Sequence, residues 1–186
     1  MHLSQEYLLL VDGEGRVLGR ESKEACHRGQ GLLHAAFLVL VFDKAGSLLL
    51  ARRSPEKSLW PGFWDGTVAS HYLQSPDRPT RIREKVHQEL GVEAADPEYR
   101  FRFQYQASYK DRGSECELCD VYVLKGVAPD DLRVNPAEIS EFRTVDLDAL
   151  KREIAAEPGV FTPWFLIVFQ RLFGPDAGEQ RPKSVS

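Results

Sequence analysis

Three separated stretches of the chain carry polar residues of the kind that collect around one metal ion. They are His27 with His34, His71 after the run Trp60-Pro61-Gly62-Phe63-Trp64, and Glu115-Cys116-Glu117. The last is the most telling. It lies in a run with strand character, and strand side chains alternate faces, so Glu115 and Glu117 point the same way. Two carboxylates on one face repel unless that face is solvent or holds a cation. Three imidazoles and two carboxylates offer a nitrogen-and-oxygen ligand set suited to manganese, zinc or magnesium. For any one of these histidines taken alone, a surface or satisfied core position is the simpler reading.

The chain as a whole sets the context. At 186 residues, 42% apolar and 28% charged, it has the composition of an ordinary globule with one real core. A net charge of −4 gives no global attraction to nucleic acid, although local cations can still hold an anionic ligand. The opening residues lack a basic segment followed by a long apolar run, so no signal peptide is read. Trp164 to Phe169 is the strongest apolar stretch after that and is far too short to span a bilayer. Cys26, Cys116 and Cys119 make a poor disulfide framework and suit a reducing compartment. The expectation is a cytoplasmic monomer without nucleic-acid or membrane partners.

The elements that must position these residues alternate between strand and helix patterns. Tyr7 to Val11 reads as a strand, with a turn at Asp12 to Gly15 and a return at Val17 to Gly19. Ala35 to Phe42 is continuously apolar, as a strand buried on both faces must be. A turn at Asp43 to Gly46 leads into a hairpin strand from Ser47 to Arg52. Phe101 to Tyr109 and Glu117 to Leu124 form a further antiparallel pair, and Glu141 to Val145 is the last strand. Helices are predicted from Arg81 to Leu90, ended by Gly91, and around Leu147, Leu150 and Ile154, capped by Asp146. A third starts with Thr162 as cap and Pro163 at its first position and stops at Gly174. The order predicts an α/β fold: one mixed sheet with flanking helices, a single domain over residues 1–174, and a flexible C-terminal tail over 175–186.

Lys85 and Glu89 lie four apart on the predicted helix. They are either an ion pair on a solvated face, or a phosphate-binding cation beside a metal-binding carboxylate. The Glu89-Leu90-Gly91-Val92 run resembles the end of a Nudix box, in which Lys85 and Gln88 stand where glutamates are expected. Taken with the tryptophan-rich run, His71, the Glu-x-Glu strand and Phe161-Thr162-Pro163-Trp164, the chain resembles a type 1 isopentenyl diphosphate isomerase, a branch of the Nudix fold. The likeness runs from about Tyr7 to Phe169.

That resemblance implies a tightly bound Mn2+, Zn2+ or Mg2+ on His27, His34, His71, Glu115 and Glu117. It also implies a Mg2+ that accompanies the substrate diphosphate and is held by Glu89. Lys23, Arg53, Lys57 and Lys85 match diphosphate-gripping positions, Arg53 as a rigid fork of donors and the lysines as movable charges. Glu117 matches the catalytic acid, Tyr105 its hydroxyl companion, and Trp164 the indole that faces cationic character. Trp64 is expected either to line the apolar cavity or to serve the core. The partner is then a small isoprenyl diphosphate.

One position departs from the pattern. The resemblance calls for a second catalytic group, a cysteine two residues before His71, and Ala69 stands there. A methyl group neither gives nor takes a proton. Ser70, next to it, points to the opposite face if the segment is extended, and Cys119 is expected as buried packing. Three functions therefore stand open: an isomerase with altered or reduced proton chemistry, a metal-dependent diphosphate hydrolase, and a non-catalytic isoprenyl diphosphate-binding protein.

Overall fold

The apolar run after His34 leaves no position for water, and in the computed structural model every residue from His34 to Phe42 is buried. The structure describes residues 6–74, 77–93, 95–175 and 177. In chain order these form β1 (Tyr7–Val11), β2 (Val17–Ser22), α1 (Lys23–His27), β3 (His34–Phe42), β4 (Leu48–Arg53), the two-residue β5 (Trp64–Asp65) and β6 (Val68–His71). They continue with α2 (Arg78–Leu90), β7 (Glu98–Ser108), β8 (Ser114–Leu124), β9 (Ile139–Val145), α3 (Leu147–Ala156) and α4 (Pro163–Phe173).

All these strands join one mixed sheet built around β3. On one edge β3 runs parallel to β8, in register from His34↔Glu117 to Val41↔Leu124. Its other edge is shared by three antiparallel strands: β1 at His34, β6 at Ala36 to Val39, and β4 at Val41 and Phe42. β7 then extends the sheet beyond β8, and β9 extends it beyond β4.

Alternation along β3 divides the interior into two cores. Leu38 and Leu40 pack with Val121, Leu150, Trp164, Phe165 and Val168, so α3 and α4 cover that face. Phe37, Val39 and Val41 pack with Ile82, Val86 and Leu90 of α2 on the other. A sheet between helical layers is thus the consequence of one strand apolar on both faces. Among the described residues no helix is long and apolar enough to cross a membrane.

The predicted strands and the three long helices are present. α2 starts at Arg78, earlier than the apolar stripe indicates, because Asp77 caps it by accepting from the Thr80 amide at 3.1 Å. The five-residue α1 and the short β5 and β6 carry too few residues to show a period and were not predicted. Nearly all of the proposed C-terminal tail falls outside the described residues.

α2 ends where Gly91 turns left-handed, at φ 71°. A Cβ there would lie 2.7 Å from the Arg133 Cβ and 2.8 Å from its carbonyl oxygen. Gly91→Ala is therefore expected to destabilise the fold by roughly 2–4 kcal/mol, from a left-handed side chain and overpacking together. Denaturant unfolding checks this; a midpoint equal to that of the unaltered chain would contradict it.

Candidate active site

The sheet register assembles the first half of the site. His34 on β3 sits beside Glu117 on β8, and Ala36 beside His71 on β6, so alternation puts His34, His71, Glu115 and Glu117 on one face. α1, capped by the Ser22 side chain, brings in His27. The three imidazole centroids lie 5.0, 5.3 and 5.0 Å apart. His27 Nε2 is 2.8 Å from Glu115 Oε2, and His71 Nε2 is 3.0 Å from Glu117 Oε1. His34 Nε2 lies 3.9 Å from Glu115 Oε2 and 3.6 Å from Glu117 Oε1.

These atoms suit a cation better than they suit each other. His34 is fully buried and donates its Nδ1–H to the Leu32 carbonyl at 2.7 Å, which leaves the Nε2 lone pair facing the cluster. His27 Nε2, His34 Nε2 and Glu115 Oε2 are buried without a hydrogen bond among the described residues; the short His27–Glu115 approach lacks hydrogen-bond geometry. Each such orphaned group costs about 1–3 kcal/mol unless something else satisfies it. Ligand atoms of His27, His34, His71 and Glu115 all fall within 4.8 Å of one another, a span one divalent ion can serve. Burial, with the nearby His34, Lys23 and His27, holds His71 well below the usual imidazole range and so neutral. For His34, burial acts downward, but Glu117 and the Leu32 carbonyl outweigh it and raise the ring.

The cluster forms one wall of a cavity of about 330 Å³, whose lining includes Ala69, Tyr105, Glu117, Cys119 and Trp164. β7 places Tyr105 opposite Glu117, and the phenol donates to Glu117 Oε2 at 2.6 Å. Burial, then Glu117 and Glu115, push the phenol far above its ordinary range, so it stays a donor. The Trp164 ring centroid is 5.8 Å from that of Tyr105. Cys119 packs in the core as expected and also reaches the cavity wall, where burial and Glu117 hold its thiol protonated. Ala69 shares that core face, whereas Ser70 has the parity of Val68 in the opposite core, although it too contributes to the lining.

The other end of the cavity is charged. Lys85 and Glu89 are 7% and 4% exposed, which removes the reading of them as a solvated ion pair. Lys85 Nζ lies 3.0 Å from Glu89 Oε1 and 3.4 Å from Glu138 Oε1, and Lys57 bonds Glu138. Burial raises Glu89, with Lys85 opposing. Burial acts upward on Glu138 too, but Lys57 and Lys85 outweigh it and its pKa is lowered. Sequence reading missed Glu138, because the turn that carries it has no period or motif; the Asn135 amide ties that turn to the Glu89 carbonyl at 2.9 Å.

Two further expected residues stand differently. Arg53 lines the cavity, but each of its nitrogens already holds a bond: Nε to the Trp60 carbonyl, Nη2 to that of Leu59, and Nη1 to Asp65. Lys23 lines it too and pairs with Glu6 at 3.1 Å. Trp64 is not part of the lining. On β5 its neighbour Asp65 is buried, and the half-buried indole packs against the core under α3 and α4, the second of the two roles expected for it, with Arg143 over it at 4.8 Å and Arg52 at 5.8 Å.

Two outcomes are expected. Protein prepared without chelator should carry a divalent ion, and chelation should lower its melting temperature but not that of His34→Gln; an equal shift in both would contradict the cluster. Glu138 has a depressed pKa, so its contribution is present above the ordinary glutamate range and lost as pH falls through the lower folded value. Glu138→Gln should accordingly destabilise at neutral pH, with the difference closing on acidification.

Comparison with known proteins places this geometry. Residues 32–165 match the NUDIX domain family. Relatives named isopentenyl-diphosphate Delta-isomerase include one from Citrobacter koseri, 33% identical over 167 residues that cover 89% of this chain and 91% of the relative. Another from Enterobacter sp. strain 638 is 33% identical over 87% of this chain and 88% of its own. One from Escherichia coli O1:K1 is 31% identical over 89% and 90%. The fold is shared with DR0079 from Deinococcus radiodurans, with a TM-score of 0.71 and 23% identity over 90% of this chain and 99% of that one. It is shared also with a MutT protein from Methanosarcina mazei Go1, with a TM-score of 0.63 and 18% identity over 80% and 96%. The chain is a Nudix-domain protein and belongs to the type 1 isopentenyl-diphosphate Delta-isomerase family.

Proposed function

We propose that this chain interconverts isopentenyl and dimethylallyl diphosphate by moving a double bond, at a rate limited by the methyl side chain of Ala69. The observation that carries the reading is the Tyr105–Glu117 hydrogen bond at 2.6 Å in a cavity wall that also bears Trp164. Protonating an unactivated alkene and removing a proton from the neighbouring carbon require groups able to move protons around a dry cationic centre. Glu117 is the group proposed to move the proton. Tyr105 fixes its orientation, and Trp164 presents a π face to the tertiary carbocation.

Binding follows from the opposite end of the cavity. Lys57 and Lys85, with Lys23 and Arg53 at the rim, would draw the diphosphate away from the apolar wall. His27, His34, His71, Glu115 and Glu117 would hold one divalent ion, and Glu89 a magnesium ion beside the phosphates. Such ions supply charge neutralisation and orientation when bound. The orphaned Nε2 atoms of His27 and His34 support the first assignment, and the burial of Glu89 at the charged end of the cavity supports the second.

Absence of a second proton-transfer side chain at position 69 should lower turnover by about 10²–10⁴-fold. The test compares the unaltered chain with Ala69→Cys and Glu117→Gln, following double-bond migration and phosphate release together. Migration is expected to rise in the first variant and vanish in the second. Metal-dependent phosphate release without migration would replace this reading with a diphosphate hydrolase; binding without either would leave a carrier of isoprenyl diphosphates.

A further inference from the structure

Behind the indole of Trp164 lies a carboxylate that the proposed reaction does not use. Asp65 is 2% exposed, and isolated buried charge is costly enough to be kept only where it is paired. Three donors from two distant parts of the chain converge on one of its oxygens. The Gly66 amide reaches Oδ1 at 2.7 Å, the Thr162 hydroxyl at 3.0 Å and the Trp164 indole N–H at 2.8 Å. The other oxygen accepts from Arg53 Nη1 at 3.2 Å.

Thr162 shows how strongly this carboxylate organises its surroundings. It occupies the cap position of α4, as the sequence indicates, yet its side chain makes no cap bond and turns to Asp65. The Thr162 amide also donates to the Trp64 carbonyl at 2.9 Å, so β5 and the start of α4 are locked together. A neutral acceptor would anchor a helix equally well. What an ion adds is charge, at a place where charge matters.

Arg53 explains where. Its Cζ lies 5.2 Å from the centroid of the Trp164 ring. An uncompensated guanidinium so close would occupy the cation-binding role of the indole and repel positive charge in the cavity. Asp65 cancels that cation directly. By accepting a hydrogen bond from the indole N–H it also moves electron density toward the ring face.

We propose that Asp65 is a positioning residue that makes Trp164 a cation-holding wall, by binding its indole N–H and neutralising Arg53. The proposal rests on the isomerase reading above. It predicts a preference for positive charge at the hydrocarbon end of the ligand, a property measurable without turnover.

The probes are two alkyl diphosphates of equal size, one with a tertiary ammonium at the branch point and one with carbon there. Their affinities for the full chain are measured by calorimetry with magnesium. Asp65→Asn keeps the shape and an acceptor, and should reduce the ammonium-over-carbon preference about tenfold, whatever change in affinity the two probes share through Arg53. Adding Asp65→Asn to Trp164→Phe should produce a smaller drop, because the part exerted through the indole is already lost and only the Arg53 part remains. The indole resonance lost in Trp164→Phe should shift in Asp65→Asn. Arg53→Gln should weaken both probes at the diphosphate end but the ammonium probe less, raising the preference, and this serves if Asp65→Asn does not fold. An unchanged preference in Asp65→Asn and Arg53→Gln, or an equal drop on the Trp164→Phe background, overturns the proposal. Failure of both probes to bind overturns the isomerase reading and the proposal with it.

Discussion

The parallel pairing of β3 with β8 is the constraint on which the rest depends. Register His34↔Glu117 sets the imidazole on one strand beside the carboxylate on the next. A slip of one residue would turn Glu115 and Glu117 to the α2 face and bring Leu118 and Cys116 into the cluster. The slip is prevented by packing, since Leu38, Leu40, Val121 and Val123 must all remain in the core under α3 and α4. The same hydrophobic alternation that stabilises the sheet therefore aligns the side chains of the candidate metal cluster. Fold and chemistry share one register.

At the other end of the cavity the balance is electrostatic. Two lysines face two glutamates: Lys57 and Lys85 against Glu89 and Glu138. Unpaired, either set would be costly to hold in so buried a place. On the proposed reading, a diphosphate entering with its own cation would exchange one neutral arrangement for another. Glu138 thus holds both lysines in place at little net charge.

Legibility in the sequence tracked the length over which a pattern repeats. β3 was plain because nine buried positions in a row permit little else, and the long helices because their stripes and caps agree. α1, β5 and β6 have five, two and four residues, too few for periodicity, although they carry His27, Asp65 and His71. The residues of the candidate metal cluster were picked out by type and by resemblance. Asp65 and Glu138 were not, because a buried carboxylate is recognised only by its partners, and Arg53, Thr162, Lys57 and Lys85 reach them across the fold. For Trp64 the distinctive run left a cavity role and a core role open, and packing against the core decided for the second.

One feature of α1 has a bearing on how the site lives in time. A helix of five residues has almost no internal hydrogen bonding, so its order is borrowed from the Ser22 cap and from buried Cys26. Four of the five side chains at the cluster stand on strands of the central sheet, and only His27 stands on this weak element. Opening one turn near the chain's start releases His27 while the sheet stays intact, a motion far smaller than unfolding. The cluster is thus a rigid bowl with a hinged rim. Local opening of that rim would let an occupant exchange without unfolding of the domain.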